Sequence, residues 1–179
     1  SSETRIPGEG LHAMRVQTAD DTPVVAGRVV TVFDAASAPS TDGIVSRPAL
    51  TRGLADGTAS PVAAALWAMT GVDVGPRRVP TISVHNPGEG TVRFSAALLG
   101  GPQDGTVLAD AVEVSPGDSV AVVSSSFELD DATVSVLVEA TGPVVVERTL
   151  AWLDVDDLSM GLAIPTPRGG APLVALGER

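Results

Sequence analysis

Apolar and polar residues alternate along most of this chain in short runs, broken at near-regular intervals by Gly, Pro, Asn and Asp. Period-two alternation sends successive side chains to opposite faces of an extended backbone, so the pattern predicts strands with one buried and one wet face. From Val79 onward it predicts a meander. Thr81 to His85, Thr91 to Leu99, Val107 to Val114 and Ser119 to Ser124 read as strands, separated by turns at Asn86 to Gly90, Gly100 to Gly105 and Ser115-Pro116-Gly117-Asp118. Upstream, Leu11 to Thr18 and Val24 to Phe33 read as strands around a polar turn at Ala19 to Pro23. Ala35 to Ser60, rich in Ala, Ser, Thr, Gly and Pro, reads as a long loop with a fragment of edge strand at Gly43 to Val45. Pro61 to Thr70 carries the good helix formers Ala, Leu and Met behind a Ser60-Pro61 cap. Its Pro-Val start and Trp67 nevertheless echo Pro143-Val144 and Trp152, and that context favours a strand.

One pattern occurs twice. Ala13 to Asp34 aligns without a gap on Thr133 to Asp154, with Val16, Pro23, Val24, Val25, Arg28 and Asp34 recurring as Val136, Pro143, Val144, Val145, Arg148 and Asp154. Read as strand-turn-strand, each copy is a closing hairpin of a β module. The fold class that follows is all-β: an antiparallel immunoglobulin-like β-sandwich of about seven strands with an additional N-terminal hairpin from a partial repeat. The division expected is a partial module over residues 1–75 (closing hairpin, long loop and connector) and a complete module with a C-terminal tail over residues 76–179.

Composition narrows the function classes. A 179-residue chain with 44% hydrophobic residues has enough apolar content for a packed core, and that content is almost entirely Val, Ala and Leu. Lysine is absent, and eleven Arg against 22 acidic residues give a net charge of -11, a sign that opposes nucleic-acid backbones and anionic membrane surfaces. Without Cys there are no disulfides, thiolate metal sites or thiol nucleophiles. No stretch reaches the roughly 18–20 apolar residues that span a bilayer as a helix. The first residues, SSETRIPGEG, lack an initiator Met and a charged-then-apolar leader, as expected of a mature product or an excised fragment.

His85-Asn86-Pro87-Gly88 after a strand, Val114-Ser115-Pro116-Gly117 two strands on, and Pro143-Val144-Val145-Val146-Glu147-Arg148 at the close carry a resemblance. The chain is similar to DUF5719, a family of actinobacterial secreted or membrane-anchored proteins whose modules run through an "NPG" turn, a "PG" turn and a terminal "PVVxER". It is similar more loosely to bacterial immunoglobulin-like sandwiches. The resemblance implies an extracytoplasmic location and no particular activity. The first copy departs from it by having Gly27 where the second has Glu147.

Candidate chemistry is sparse. His12 and His85 are not spaced to share a metal, and His85 in its turn is expected to bond the backbone. Asp154, Asp156 and Asp157 offer clustered oxygen ligands for calcium, although they supply only three of the six to eight that calcium takes, and solvated turn carboxylates are the competing reading. Arg28 and Arg148 are expected to reach a carboxylate on a neighbouring strand, such as Glu139 or Glu147. Trp67 and Trp152 would make a sugar-stacking platform if displayed, but with so few aromatics available both are expected to be buried. No histidine is placed to serve Ser124, Ser125 or Ser126, and there is no Gly-x-Ser-x-Gly elbow and no phosphate-cradling loop. The expectation is therefore a non-enzymatic extracytoplasmic subunit without a cofactor, structural or interacting with protein partners in a larger assembly. The other reading is a carbohydrate or cell-wall binding module, calcium-assisted through the Asp154 to Asp157 loop.

Overall fold

A computed structural model describes residues 16, 26–33, 52–58, 60, 62–75, 77–123, 129–130, 132–152, 157–166 and 174–175, with backbone alone at 27–33, 52–58, 157 and 174–175. The strands are β1 (Gly27–Phe33), β2 (Arg52–Thr58), β3 (Val62–Val74), β4 (Arg78–His85), β5 (Val92–Leu99), β6 (Val107–Val114), β7 (Ser119–Val123), β8 (Ala132–Trp152), β9 (Asp157–Leu162), β10 (Ile164–Pro165) and β11 (Val174–Ala175). All pairings are antiparallel, and there is no helix among the described residues. Within the segment Pro61 to Thr70, the described residues Val62 to Thr70 accordingly lie in strand β3 rather than in a helix. A residue with Trp67's neighbours on both sides of a sheet gains more from packing than Ala and Leu gain from helix propensity.

The organising element is β8. Its 21 residues hold the second copy of the repeated pattern, which the sequence reading takes as a hairpin with a turn near Gly142-Pro143. The structure corrects this: the segment is one continuous strand that changes sheets. Its first half lies between β3 and β5 and its second half between β4 and β9. One sheet therefore runs β10-β3-β8-β5-β6 and the other β9-β8-β4-β7, with β8 common to both. A strand that passes from one layer to the next needs a corner. Here Leu66 pairs with Glu139 but Ala64 with Val144, so β8 spends three extra residues between these contacts. Pro143 sits in this excursion, paired with neither β3 nor β4, where its missing N–H is not needed. Gly142 allows the close approach at the same corner, since a Cβ there would fall 2.9 Å from Val92 Cγ1.

Even-numbered positions of β8 face the core on both sides of the corner. Val134, Val136, Val138, Ala140, Val144, Val146 and Leu150 are all buried, so the alternation survives the change of sheet. The core they form with Trp67, Val72, Ile82, Val84, Phe94 and Leu98 is one cluster drawn from both sheets. Trp67 is fully buried and its indole N–H donates to the Ala64 carbonyl at 2.9 Å and the Val144 carbonyl at 3.0 Å, which ties β3 to β8 at the corner.

The first copy of the pattern is seen through β1 alone, which corresponds to the last part of β8. The strand-like stretch Leu11 to Thr18 lies outside the described residues save for Val16, as does Gly43 to Val45. β1 pairs with β2, in register from Gly27↔Thr58 to Phe33↔Arg52, so the expected loop over Ala35 to Ser60 contains a strand. Arg52–Thr58 (RGLADGT) holds only Leu and Ala as apolar residues, too few to produce an alternation signal. In the second copy the equivalent part of β8 pairs with β9, Glu147↔Leu162 to Trp152↔Asp157. The recurring sequence is thus the outgoing strand of a ribbon in both places. β1 and β2 form their own two-stranded sheet, with β2 lying alongside β9. β3, which belongs to the first of the two expected segments, is paired along most of its length with β8 of the second, so the 75/76 division falls at the β3–β4 connection within one sheet system.

Candidate functional site

The turns named by the sequence build one end of the fold. Ser115–Asp118 is a β-turn closed by the Asp118 N–H to the Ser115 carbonyl at 3.1 Å, with Gly117 at φ 76°, the left-handed position that glycine takes in a type II turn. Gly117 N–H donates to the Asn86 carbonyl at 2.9 Å while Asn86 N–H donates to the Asp118 carbonyl at 3.0 Å. Two residues oppose one across β4 and β7, a glycine-led bulge that locks the "PG" turn onto the "NPG" turn.

Asn86 fastens this corner. It is the buried polar side chain of the described core, with no exposed surface. Its Nδ2 donates to the Gly90 carbonyl at 2.8 Å and to the Val114 carbonyl at 3.0 Å, and its Oδ1 accepts from the Gly88 N–H at 2.9 Å. Every polar atom of the amide is engaged within its own fold, which makes Asn86 an anchor rather than a ligand-binding group.

His85 stands beside it. Nδ1 lies 3.0 Å from the Asp118 carbonyl and 3.1 Å from Ser119 Oγ. A carbonyl only accepts, so Nδ1 carries the proton and Nε2 is the acceptor of the neutral ring. Burial holds the imidazole pKa below its ordinary value of 6.5, outweighing the opposing pull of the Asp118 carbonyl and carboxylate. Depression in the folded state means that the unfolded chain takes up the proton first as the pH falls. The contribution of His85 to stability is therefore complete above about pH 6.5 and is lost as the pH drops through the lower folded value. Urea titrations across this window should show the wild-type chain losing stability relative to His85→Gln; parallel curves would mean that the ring does not sense folding.

The other sequence candidates are placed as follows. The Arg148 guanidinium Nη1 donates to the Gly71 carbonyl on β3 at 2.9 Å. Gly71 lies at the β3 bulge between Met69 and Val72. Arg28 is described only through its backbone, and His12 lies outside the described residues. Trp67 is fully buried and unavailable to a sugar, while Trp152 is half-buried. Asp154 and Asp156 lie outside the described residues and Asp157 is described only as the start of β9. Among the described residues no group of three His, Asp or Glu side chains is placed to hold a metal ion.

The strongest surface feature is one that the sequence reading passed over. Ile164, Ala68, Leu137, Ala97 and Val107 are successive cross-strand partners on β10, β3, β8, β5 and β6. All five occupy positions on the outer face, opposite to the core-facing Trp67, Val136, Val138, Ala96 and Leu98. They form an unbroken apolar row across five strands, about 19 Å from end to end at the usual strand spacing. Val107 is 54% and Ile164 60% exposed, and Leu99, next along β5, is also exposed. The row is bordered on one side by Arg93, whose guanidinium bonds Glu113 Oε1, and on the other by the Thr133–Asp73 hydrogen bond of 2.6 Å. The strip lies on the side of the sheet opposite the core, with polar pairs at both of its borders. Its one sequence signal was the absence of a charge at the outward positions Leu137 and Ala97, which is invisible until register aligns five strands.

No protein-family model and no curated protein matches the chain. Among solved structures it is similar to the crystal structure of Thermotoga maritima 1070, with 18% identity and a TM-score of 0.47 over 57% of this chain and 95% of that one. It is also similar to the Anabaena sensory rhodopsin transducer, with 13% identity and a TM-score of 0.40 over 51% of this chain and 87% of that one. Likeness at this level carries no inference about function.

Proposed function

We propose that this protein is a non-enzymatic, extracytoplasmic structural or protein-interaction subunit of a cell-envelope or other large assembly, built on an immunoglobulin-like sandwich and related to the DUF5719 proteins. The observation that carries the reading is the apolar row Ile164–Ala68–Leu137–Ala97–Val107 on the outer face of the five-stranded sheet. A partner that fits it presents a complementary apolar protein surface, because a chain of net charge -11 repels polyanions and acidic bilayers. The absence of a cofactor and the extracytoplasmic location rest on the composition and on the family resemblance. The carbohydrate-binding reading loses one of its two aromatic candidates with Trp67 sequestered in the core and keeps the half-buried Trp152.

Leu137→Arg tests the reading, since this outward position places a charge in the centre of the row without entering the core. In native gels of envelope fractions, the tagged wild-type protein should migrate in an assembly well above its own mass, and the variant should fall to the mass of the free chain. Recovery of the wild type from the cytosol as a free chain would overturn the proposal.

A further inference from the structure

Each of the two sheets ends in a strand beside the "PG" turn: β6 closes the first and β7 the second. The fold treats these two edges differently. Along β6 the ladder with β5 shifts register twice, between Phe94 and Ala96 and between Ala96 and Ala97. Ala111 in this strand takes a left-handed φ of 48°, and its N–H is held by Ser95 Oγ at 3.0 Å. Asp110 and Glu113 add exposed carboxylates. Bulges and charge are devices that keep an edge from pairing with another chain. β7 has neither. Its register with β4 is unbroken from Thr81↔Val123 to His85↔Ser119, none of its residues has a positive φ, and SVAVV holds no charge and no proline.

The bonds at the corner set the phase of β7. Asn86 N–H donates to the Asp118 carbonyl, so in the alternation of an antiparallel ladder Val84↔Val120 and Ile82↔Val122 are the next bonded pairs. Ser119 and Ala121 therefore direct their N–H and C=O groups away from β4, and among the described residues these groups have no hydrogen-bond partner. Both residues are half-buried, Val120 and Val122 pack against the core, and Val123 is only 9% exposed and stays outside the pairing. We propose that the β7 edge is a self-association site whose occupant is β7 of a second copy of this chain, antiparallel about a two-fold axis at Val120. In that register Ser119 and Ala121 of each copy exchange both backbone groups with Ala121 and Ser119 of the other, and Val120 meets its own counterpart at the close separation of a non-bonded pair. Two features favour a second copy as the occupant. A two-fold pairing sets a strand against itself, so any charge in it would meet its like; β7 carries none, and Asp118, one step beyond, falls opposite Val122. A chain of net charge -11 also approaches its copy most readily where both surfaces lack carboxylates, as the β7 edge does and the β6 edge does not.

A pairing this short buries less than the roughly 1,600 Å² of a standard interface, so the dimer is weak, with a Kd of order 0.1 mM. The test uses the full chain in about 0.5 M salt, which screens the repulsion between copies within about 4 Å. Sedimentation equilibrium should give the mass of one chain at about 0.01 mM and approach that of two at about 1 mM. At about ten times Kd roughly a fifth of the chains remain single, so amide exchange at Ser119 and Ala121, read by NMR, should slow about fivefold relative to the dilute chain. Exchange at Val120 and Val122, which bond β4 in both states, should change little. Ala121→Lys places its charge on the side of the strand that Ser83 shares, away from the core, and lowers the net negative charge. It should nevertheless weaken the dimer by about tenfold or more, because a lysine guards the edge. A chain that stays monomeric up to about 1 mM overturns the proposal. So does a dimer whose Ser119 and Ala121 amides exchange at the monomer's rate, or one that Ala121→Lys leaves at wild-type strength. Leu137→Arg should dimerise like the wild type, and loss of the dimer in that variant would assign self-association to the apolar row instead. Failure at β7 leaves the reading of the row intact, because the row lies on the other sheet.

Discussion

Trp67→Ala should lower the unfolding free energy by about 3–5 kcal/mol, the largest effect of any single substitution considered for this chain. The ring has no exposed surface and belongs to a core cluster made mainly of Val and Ala, whose side chains on their strands are too short to fill the vacated volume. The substitution also strips the donor from two carbonyls, Ala64 and Val144, at the corner where β8 leaves one sheet for the other. Trp67→Phe separates these contributions: it retains most of the apolar contact and removes the N–H, for a loss of about 1–3 kcal/mol. In urea, where the slope is about 1–3 kcal/mol per molar, the alanine variant should show its midpoint displaced by more than about 1 M. A smaller displacement, or equal effects of Ala and Phe, would remove Trp67 from its position as the clamp of the corner.

Asn86 carries the second large effect. Asn86→Ala removes three hydrogen bonds, of which the one to the buried Val114 carbonyl is closed to solvent and those to the Gly90 carbonyl and Gly88 N–H are partly open to it, a loss of about 1–3 kcal/mol. Asn86→Asp is the sharper experiment. It nearly preserves shape but sets a carboxylate against two carbonyl oxygens, and burial with those neighbours raises its folded pKa above the unfolded value. The folded state then binds the proton more tightly, so the deficit relative to wild type should be greatest at neutral pH and should shrink as the pH falls. Chemical denaturation at matched pH values reads this directly. An Asp variant whose deficit is independent of pH would show that the side chain is hydrated, and that the two turns do not depend on it.

Much of the local structure is legible without coordinates because it depends on neighbours in sequence. Pro116-Gly117 specifies a turn whose third position needs positive φ, and the alternation in Val107 to Val114 specifies a strand whichever strand it meets. β4 to β7 and their turns are accordingly where the pattern predicts them. The candidate sites were less legible. Arg148 occupies an alternating position that a neighbouring-strand carboxylate would suit, and its Nη1 bonds a carbonyl 77 residues away, at a bulge in β3 that no local pattern announces. The repeat was visible but its meaning was not. Gly142-Pro143 within a run of valines reads as a turn, because both residues disfavour strands, and the structure uses the same properties for a corner.

The sequence by itself determined an all-β chain with a small-residue core, its main turns, the existence of a repeated segment, and a charge that opposes polyanionic partners. These follow from side-chain period, backbone preference and summed charge, each of which is a property of adjacent or counted residues. Only the tertiary structure decided that β8 is one strand shared by two sheets, that Trp67 clamps its corner, and that five outward residues from five strands line up as an apolar row. Those facts depend on register between segments far apart in the chain. Register is set by which faces are buried together, a choice made by the whole core at once and encoded in no single stretch of it.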